Sequence, residues 1–230
     1  MLLGGEPGAG KSTMLLQTLC FMAKSHEALY VTGEESSQQV AMRAKRLELP
    51  TDQVKIMTET SVENICNVAT EKKPKVLVID SIQVVHLDDI TSAPGSVSQV
   101  SESAAMLVRF AKQTNTILIL VGHVTKVGGL AGPKILEHMI DTFIMLDNSS
   151  DGRYRILRGH KNRFGAVNEI GVFAMTDHGM REVPNPSAIF LQRGDFDASG
   201  SVTTVTWEGT CLLYTSPSPR AKRQSRMPSS

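Results

Sequence analysis

Short apolar segments rich in β-branched residues recur between residues 28 and 146. Each segment is nearly continuous in apolar side chains, which is typical of strands that are buried on both faces of a parallel sheet. These segments predict five strands, at Ala28–Thr32, Val54–Met57, Lys75–Ile79, Thr116–Val121 and Thr142–Leu146.

Helical patterns separate several of these strands, and the pattern changes after Tyr154. The predicted helices are Lys11–Lys24, Ser36–Leu47, which opens on a capping sequence, and Ser98–Thr114, which places its apolar residues on one face. Alternating strands and helices predict an α/β fold, with a mainly parallel sheet that is covered by helices on both faces. Beyond Tyr154, short strands follow one another without helices and predict an antiparallel extension of that sheet.

Composition narrows the class of protein. The 230 residues suffice for one large domain, or for one domain and part of another, and 41% hydrophobic with 20% charged residues is an ordinary globular mixture. With a net charge of +1, any nucleic-acid site must be local. We expect neither a membrane span nor a signal peptide. The three separated cysteines include no CxxC pair, which argues against a disulfide framework and a complete zinc site and favours a reducing, cytoplasmic setting.

A phosphate-binding motif lies near the start of the chain. The segment GEPGAGKS matches the pattern G-x-x-x-x-G-K-[ST] and precedes a predicted helix. Glycines allow backbone amides to close around a β-phosphate, Lys11 reaches the β- and γ-phosphate oxygens, and the Ser12 hydroxyl binds Mg²⁺. A plain glycine turn is the competing interpretation. The predicted nucleotide-binding residues here are Gly5, Glu6, Pro7, Gly8, Ala9, Gly10, Lys11, Ser12 and Thr13.

Polar residues follow three of the predicted strands. Asp80 ends an apolar strand, and in a phosphate-loop fold such an acid orients the water shell of Mg²⁺. Glu34 and Glu35 follow the first strand of the five, where a carboxylate beside the phosphates can act as a general base. Solvated loop acids are the alternative reading of these two residues. His123 follows the fourth strand, where a polar side chain can sense the γ-phosphate.

Two cations interrupt the strand-like region near residue 160. Lys161 and Arg163 are separated by Asn162 in the segment HKNRFGAV. In an extended chain alternate side chains share a face, so both cations are expected to point in the same direction. A solvated surface pair is the simplest reading, and a shared anionic target is the functional one.

Together, these motifs resemble those of the bacterial RadA (Sms) family of RecA-like ATPases. The similar segments are GEPGAGKST, LYVTGEESSQQVAMRA, VLVIDSIQ, SAPGSVSQV, VGHVTKVGGLAGPKILEHMID and KNRFG. The resemblance implies a RecA-like P-loop NTPase core and a hexameric, ATP-driven, DNA-binding motor that promotes branch migration in recombinational DNA repair. It implies ATP and Mg²⁺ as cofactors. The implied partners are single-stranded and branched DNA, further copies of the chain and a RecA-type recombinase. No membrane partner is implied.

The resemblance also assigns roles to residues already singled out. Lys11 and Ser12 become the phosphate-loop pair, and Asp80 becomes the acid that holds Mg²⁺ through water. Glu34 is the preferred catalytic base, and Glu35 is the second candidate. His123 is assigned to the nucleotide site as the polar residue that senses the γ-phosphate. 

The same resemblance implies that Lys161 and Arg163 act in trans on the γ-phosphate of a neighbouring subunit. For DNA contact it suggests the loops His86–Val97 and Lys126–Lys134, which are rich in small residues. Backbone amides and lysines there can approach phosphates without reading base sequence.

Domain boundaries are predicted from the same comparison. Residues 1–184 form the ATPase core, and residues 185–211 begin a truncated Lon-protease-like domain. Residues 212–230 are rich in Ser, Pro and Arg and predict a disordered tail, either a non-native join or a basic segment that contacts nucleic acid. The family's zinc is not expected, because its four-cysteine module is absent from this sequence.

Two other functions fit part of the pattern. A replicative-helicase-like or clock-like RecA-fold ATPase shares the acids at the strand ends, but not the combination of KNRFG with GHVTK. A nucleotide-switched DNA-binding assembly protein, in which turnover is incidental, belongs to a different functional class.

Overall fold

A computed structural model describes residues 1–123, 136–149, 152–167, 169–186, 204–208 and 211–215. The chain divides into two units, Met1–Glu182 and Val183–Ser230. Most of the predicted Lon-like segment and residues 216–230 of the predicted tail lie outside the described residues. Residues 212–215, which were predicted to be disordered, instead belong to a strand that pairs with residues 204–207. The boundary proposed after residue 184 therefore stays a prediction. Within the described ranges, no helix is long and apolar enough to cross a membrane.

The first unit consists of one sheet and the helices that cover it. Its helices are α1 (Lys11–Met22), α2 (Ser37–Arg46), α3 (Val62–Lys72) and α4 (Val97–Thr114). Its strands are β1 (Leu2–Gly5), β2 (Ala28–Thr32), β3 (Val54–Thr58), β4 (Val76–Asp80), β5 (Ile117–His123), β6 (Thr142–Asn148), β7 (Tyr154–Asn162), β8 (Ile170–Thr176) and β9 (Gly179–Glu182). In the second unit, β10 (Thr204–Glu208) and β11 (Cys211–Thr215) form an antiparallel pair.

The strand order brings the carboxyl ends of the parallel strands together. The order across the sheet is β3-β2-β4-β5-β1-β6-β7-β8-β9. The six strands from β3 to β6 are parallel, and β7, β8 and β9 continue the sheet antiparallel. This is the mainly parallel sheet with an antiparallel extension that the hydrophobic pattern predicts. Ligands of open α/β sheets bind at the carboxyl ends of such strands.

Alternate residues of the central strands bury opposite faces of the sheet. Leu2, Leu29 and Leu77 pack on the side of α3 and α4, whereas Leu3 and Tyr30 pack on the side of α1 and α2. The period of two explains why these strands are apolar at every position, since both faces are covered.

Differences from the predicted elements are concentrated at the ends of strands and in one helix. Helix α3, Val62–Lys72, was not among the predicted helices, although it buries Ile65 and Ala69 at helical spacing. Strand β5 extends two residues beyond its predicted end, to His123, because it pairs with β1 as far as Gly5. The predicted cap of α2 is confirmed as a capping box, in which Ser36 and Gln39 exchange hydrogen bonds.

A buried amide fixes the loop between β4 and α4. The Nε2 of Gln99 donates to the carbonyls of Leu87, Ile90 and Ser92 at 3.2, 3.0 and 3.1 Å, and its Oε1 accepts from the amide of Leu87 at 3.0 Å. Gln99 is 1% exposed, so these backbone groups have little access to water. The side chain therefore ties the loop to the first turn of α4.

Replacing Gln99 with leucine should lower the free energy of unfolding by about 2 kcal/mol, because buried backbone groups lose their partner. Urea denaturation of the variant measures this change. Gln113→Leu is the matched control, since Gln113 is an exposed residue of the same helix and should change stability by less than about 0.5 kcal/mol. An equal loss of stability in the two variants would contradict this role of Gln99 in holding the loop.

Candidate active site

The phosphate-binding motif forms a loop between β1 and α1, in close contact with the antiparallel extension. Gly10 has a φ of 97°, and a Cβ there would overlap the Cε atoms of Met175 and Met180 on β8 and β9. A Cβ at Gly5 would overlap the carbonyl oxygen of Leu146. Glycine is required at Gly5 because the overlapping atom belongs to the backbone and cannot easily move. At Gly10 it is the positive φ that requires glycine, since the methionine ends are flexible and can shift. No heavy atom lies within 4 Å of a Cβ built at Gly8, so the tip of the loop is open.

Lys11 connects this loop with the neighbouring strand β5. Its Nζ donates to the carbonyls of Gly5 and Glu6 at 2.8 and 2.9 Å and lies 3.3 Å from Nδ1 of His123. The side chain is buried, and desolvation lowers its pKa, while the charges of Asp80 and Glu34 oppose that shift. The ammonium is thus placed among the predicted catalytic groups.

Glu34 is the centre of a second set of contacts at the same edge. Its Oε1 accepts a hydrogen bond from the Ser81 hydroxyl and lies 3.0 Å from Nε2 of His123. The hydrogen bond with His123, followed by that from Ser81, lowers the pKa of Glu34 despite its partial burial. Both contacts involve Oε1, and among the described residues no hydrogen bond involves Oε2. An ionised carboxylate whose Oε2 makes no hydrogen bond to these described residues can use that oxygen to orient or deprotonate water.

Glu35 occupies a different environment from Glu34. Its carboxylate forms an ion pair with Arg43 on α2, and its backbone amide donates to Oγ1 of Thr32 at 3.1 Å. The structure thus places Glu34 among Lys11, Ser81 and His123 and turns Glu35 toward α2. This geometry favours Glu34 for the role of base, which stays a prediction.

Asp80 lies at the carboxyl end of β4 and is 4% exposed. Its Oδ2 accepts a hydrogen bond from the hydroxyl of Tyr30, a residue of β2. The pKa of Tyr30 is raised by burial and by the negative charge of Asp80, so the hydroxyl keeps its proton. Sequence reasoning did not single out Tyr30, although a tyrosine within a buried apolar strand signals a hydroxyl that needs a partner.

Lys161 and Arg163 lie at the opposite edge of the sheet. Lys161 pairs with Phe143 across β6 and β7, and Phe143 is level with Leu2 at the start of β1. The phosphate loop begins after Gly5, three residues further along the strand, which is about 10 Å at about 3.3 Å per residue. The two cations are therefore not brought together with Lys11 and Glu34 of their own chain.

Both cations contact the segment that precedes β6. Lys161 donates to the carbonyl of Glu137, and Nη1 of Arg163 lies 2.7 Å from Oδ1 of Asp141. The side chain of Arg163 is half exposed, and an ion pair in that position is worth at most about 1 kcal/mol. Such a pair can be exchanged for another anion.

The two candidate DNA loops differ in what the structure shows. The loop 126–134 lies outside the described residues. The loop His86–Val97 contains no lysine or arginine, and its Asp88 and Asp89 are exposed. Exposed carboxylates repel phosphates, so charge disfavours this loop as a phosphate contact.

The antiparallel extension supplies two contacts that sequence reasoning missed. The Nε of Arg155 on β7 donates to the carbonyl of Ala9 in the phosphate loop, at 3.1 Å. Gln17 on α1 accepts from the amide of Met180 at 2.8 Å, which holds β9 against the helix. Long-range pairings of this kind have no local sequence signal, because they depend on how strands far apart in the chain are arranged.

The residues present fit a nucleoside triphosphate with Mg²⁺. The loop offers backbone amides at the start of α1, and Lys11 supplies a positive charge beside them. Ser12 lies in the first turn of α1 and could hold the cation directly, while Asp80 could hold it through water.

Comparison with known families agrees with this geometry. Residues 1–129 match the model of a family that is described as AAA domain. The chain belongs to this AAA-domain family. A solved KaiC-like protein from Pyrococcus horikoshii OT3 shares the fold, with a TM-score of 0.66 and 21% identity over 80% of this chain and 88% of that one. The predicted fold class of this AAA-domain chain is thereby confirmed.

Curated relatives extend the similarity beyond the AAA domain. The chain is 64% identical over 210 residues to the DNA repair protein RadA of Escherichia coli strain K12. It is 46% identical over 211 residues to that of Bacillus subtilis strain 168. Each alignment covers 91% of this chain and 46% of the relative, so the chain spans about half the length of the curated relatives it matches. The chain is a homologue of these RadA proteins, and the resemblance drawn from its motifs is confirmed.

Proposed function

We propose that this chain is the catalytic part of an ATP-driven motor that binds DNA and acts in recombinational DNA repair. The motor would assemble head to tail as a hexamer and promote branch migration of recombination intermediates. Homology to the RadA proteins, which are named as DNA repair proteins, supports the repair role. The cluster of Lys11, Glu34, Ser81 and His123 at one edge of the sheet supports hydrolysis.

The chemistry follows from how these groups are placed. Lys11 would neutralise the β- and γ-phosphate oxygens, and Ser12 and Asp80 would hold Mg²⁺, which supplies electrostatic stabilisation of the transferred phosphoryl group. Glu34 would orient the attacking water through Oε2 while Ser81 and His123 hold Oε1. His123 contacts both Lys11 and Glu34, so a change at the phosphates would be transmitted to the base.

For DNA, we favour the segment Lys126–Lys134 over the acidic loop that begins at His86. Two lysines flank small residues in that segment, and several copies around a ring would concentrate positive charge although each chain has a net charge of only +1. Binding of this kind depends on backbone charge and should weaken as salt rises.

The test is ATP hydrolysis by this chain, with and without single-stranded DNA, across a range of protein concentrations. Turnover per chain should rise with concentration, because a site completed by a neighbour exists only in the assembly, and it should rise further with DNA. Fluorescence anisotropy with a labelled ATP analogue shows in parallel whether the nucleotide binds.

Each outcome separates one function from another. ATP binding with turnover that is independent of both concentration and DNA would favour a clock-like ATPase with a self-contained site. DNA binding that follows the nucleotide state while turnover stays negligible would favour a nucleotide-switched assembly protein. If the chain did not bind ATP at all, the proposed function would be wrong.

A further inference from the structure

Tyr30 combines complete burial with a polar contact to a catalytic-site acid. It lies in the middle of β2, is 0% exposed, and packs in the core cluster on the side of α1 and α2. Its hydroxyl donates to Oδ2 of Asp80. Tyr30 is paired in register with Val78, and Asp80 lies two residues further along β4, so both side chains project from the same face of the sheet.

Core packing alone does not explain this tyrosine. A phenylalanine would fill nearly the same volume without a hydroxyl, and a buried hydroxyl is costly unless it is hydrogen-bonded. The partner here is a carboxylate that is itself 4% exposed and also needs donors. Within the ranges that the structure describes, the side-chain hydrogen bond to this carboxylate comes from Tyr30 alone.

The contact also limits how Asp80 can turn. A carboxylate at the end of a strand can rotate about its side-chain bonds and present either oxygen. A hydrogen bond to Oδ2 from a rigid, fully packed ring fixes one oxygen toward the core and leaves Oδ1 on the other side of the group. Partners of this kind orient the groups that hold a metal ion, and their loss commonly weakens the metal site.

We propose that Tyr30 is a positioning residue of the Mg²⁺–nucleotide site, acting through Asp80. The hydroxyl holds Oδ2 in place, so that the Asp80 carboxylate does not rotate and Oδ1 faces the water shell of the cation. The inference rests on the proposed function, because it needs a nucleotide with Mg²⁺ at the phosphate loop. It goes further by assigning a role to a residue that contacts neither the nucleotide nor the cation.

The test is Tyr30→Phe, which removes only the hydroxyl. Mn²⁺ serves as the probe of the cation site, with its binding followed by electron paramagnetic resonance in the presence of ADP. Its affinity should fall by about threefold to tenfold, less than the loss of about 10- to 100-fold that is typical when a direct ligand loses its partner, because Asp80 would hold the cation through water. Binding of a fluorescent ADP analogue in excess EDTA should stay within about twofold of wild type, since the phosphate loop itself is unchanged.

Val31→Ala is the control for a general loss of packing. Val31 is also fully buried in β2, but it faces the opposite core cluster, with α3 and α4. This variant should lose thermal stability and keep its Mn²⁺ affinity. If both variants lose Mn²⁺ affinity by the same factor, packing of the sheet is the cause and the proposal is overturned.

Asp80→Asn provides a second measurement through a double-mutant cycle. If Tyr30 acts through Asp80, Tyr30→Phe should have little further effect on Mn²⁺ affinity once Asp80 is replaced. The same fold-loss in both backgrounds would overturn the proposal, as would an unchanged Mn²⁺ affinity in Tyr30→Phe alone. Wild-type chain that binds ADP without any Mn²⁺ dependence would instead overturn the proposed function, and this inference with it.

Discussion

Glu34→Gln should lower the turnover of ATP by about 100- to 10,000-fold, the usual contribution of a general base. Glutamine keeps an oxygen that can accept from Ser81 and His123, so the local structure should be retained. What it lacks is the negative charge that orients and polarises water. The affinity for a non-hydrolysable ATP analogue should therefore stay within about threefold of wild type, and the loss should be seen in kcat.

The matched control is Glu35→Gln, the same chemical change one residue away. Glu35 is paired with Arg43 on α2, so its loss should lower thermal stability slightly and leave kcat within a few-fold of wild type. If Glu35→Gln abolished turnover while Glu34→Gln did not, the assignment of the base would be reversed.

The pH dependence of kcat gives an independent check on Glu34. The hydrogen bond with His123, together with that from Ser81, lowers the pKa of this carboxyl below its ordinary value of 4.5. Glu34 is then ionised at every pH above that value and gains a proton only as the pH falls through its lowered pKa. An acid limb of kcat that is caused by Glu34 should thus lie below pH 4.5, and it should vanish in Glu34→Gln. The stability that Glu34 contributes is present above pH 4.5 and lost over the same acid range.

The strands and the mainly parallel sheet could be predicted because they rest on local pattern, whereas the strand order was not predicted. Continuous apolar runs such as Val76–Ile79 predict strands with both faces covered, but strand order and register depend on pairing between segments far apart in the chain. Helix α3 was missed although Val62, Ile65 and Ala69 are buried at helical spacing, and its apolar face spans 11 residues against 18 in α4.

The candidate site was predictable to the extent that its residues stand at strand ends. Asp80 and His123 are the last residues of β4 and β5, Glu34 follows β2, and Lys11 follows the glycine loop after β1. Parallel strands bring such residues to one edge of the sheet. The separation of Glu34 from Glu35 was not predictable, since it depends on Arg43 on α2. The contact of Arg155 with the phosphate loop depends on strand β7, which lies far away in the chain.

Arg163→Ala should lower DNA-stimulated turnover by about a thousandfold, the lower range for an arginine that acts in trans on a phosphoryl group. The register of β6 and β7 places Arg163 at the opposite edge of the sheet from its own phosphate loop, so its removal cannot affect that loop by contact. Affinity for an ATP analogue in dilute, unassembled chain should be unchanged. Loss of that affinity would mean that the residue supports its own site.

Loss of the ion pair with Asp141 must be distinguished from loss of the cation. Asp141→Asn breaks the pair and keeps Arg163, whose other contacts and charge remain. This control should retain turnover, because the half-exposed pair contributes little stability and the free guanidinium is still available to a neighbour. Equal loss in both variants would show that the structure around Asp141, rather than the cation, is what turnover requires.

Mixing two inactive variants tests the shared site directly. Lys11→Ala removes the phosphate-loop cation from its own site and leaves Arg163 for a neighbour, while Arg163→Ala does the reverse. In a head-to-tail ring assembled from an equal mixture, about a quarter of the interfaces would join an intact Lys11 to a neighbour's intact Arg163. Turnover should then recover to about a quarter of the wild-type value. If both residues served the same chain's site, no mixture could restore an intact pair, and turnover would stay at the level of the single variants.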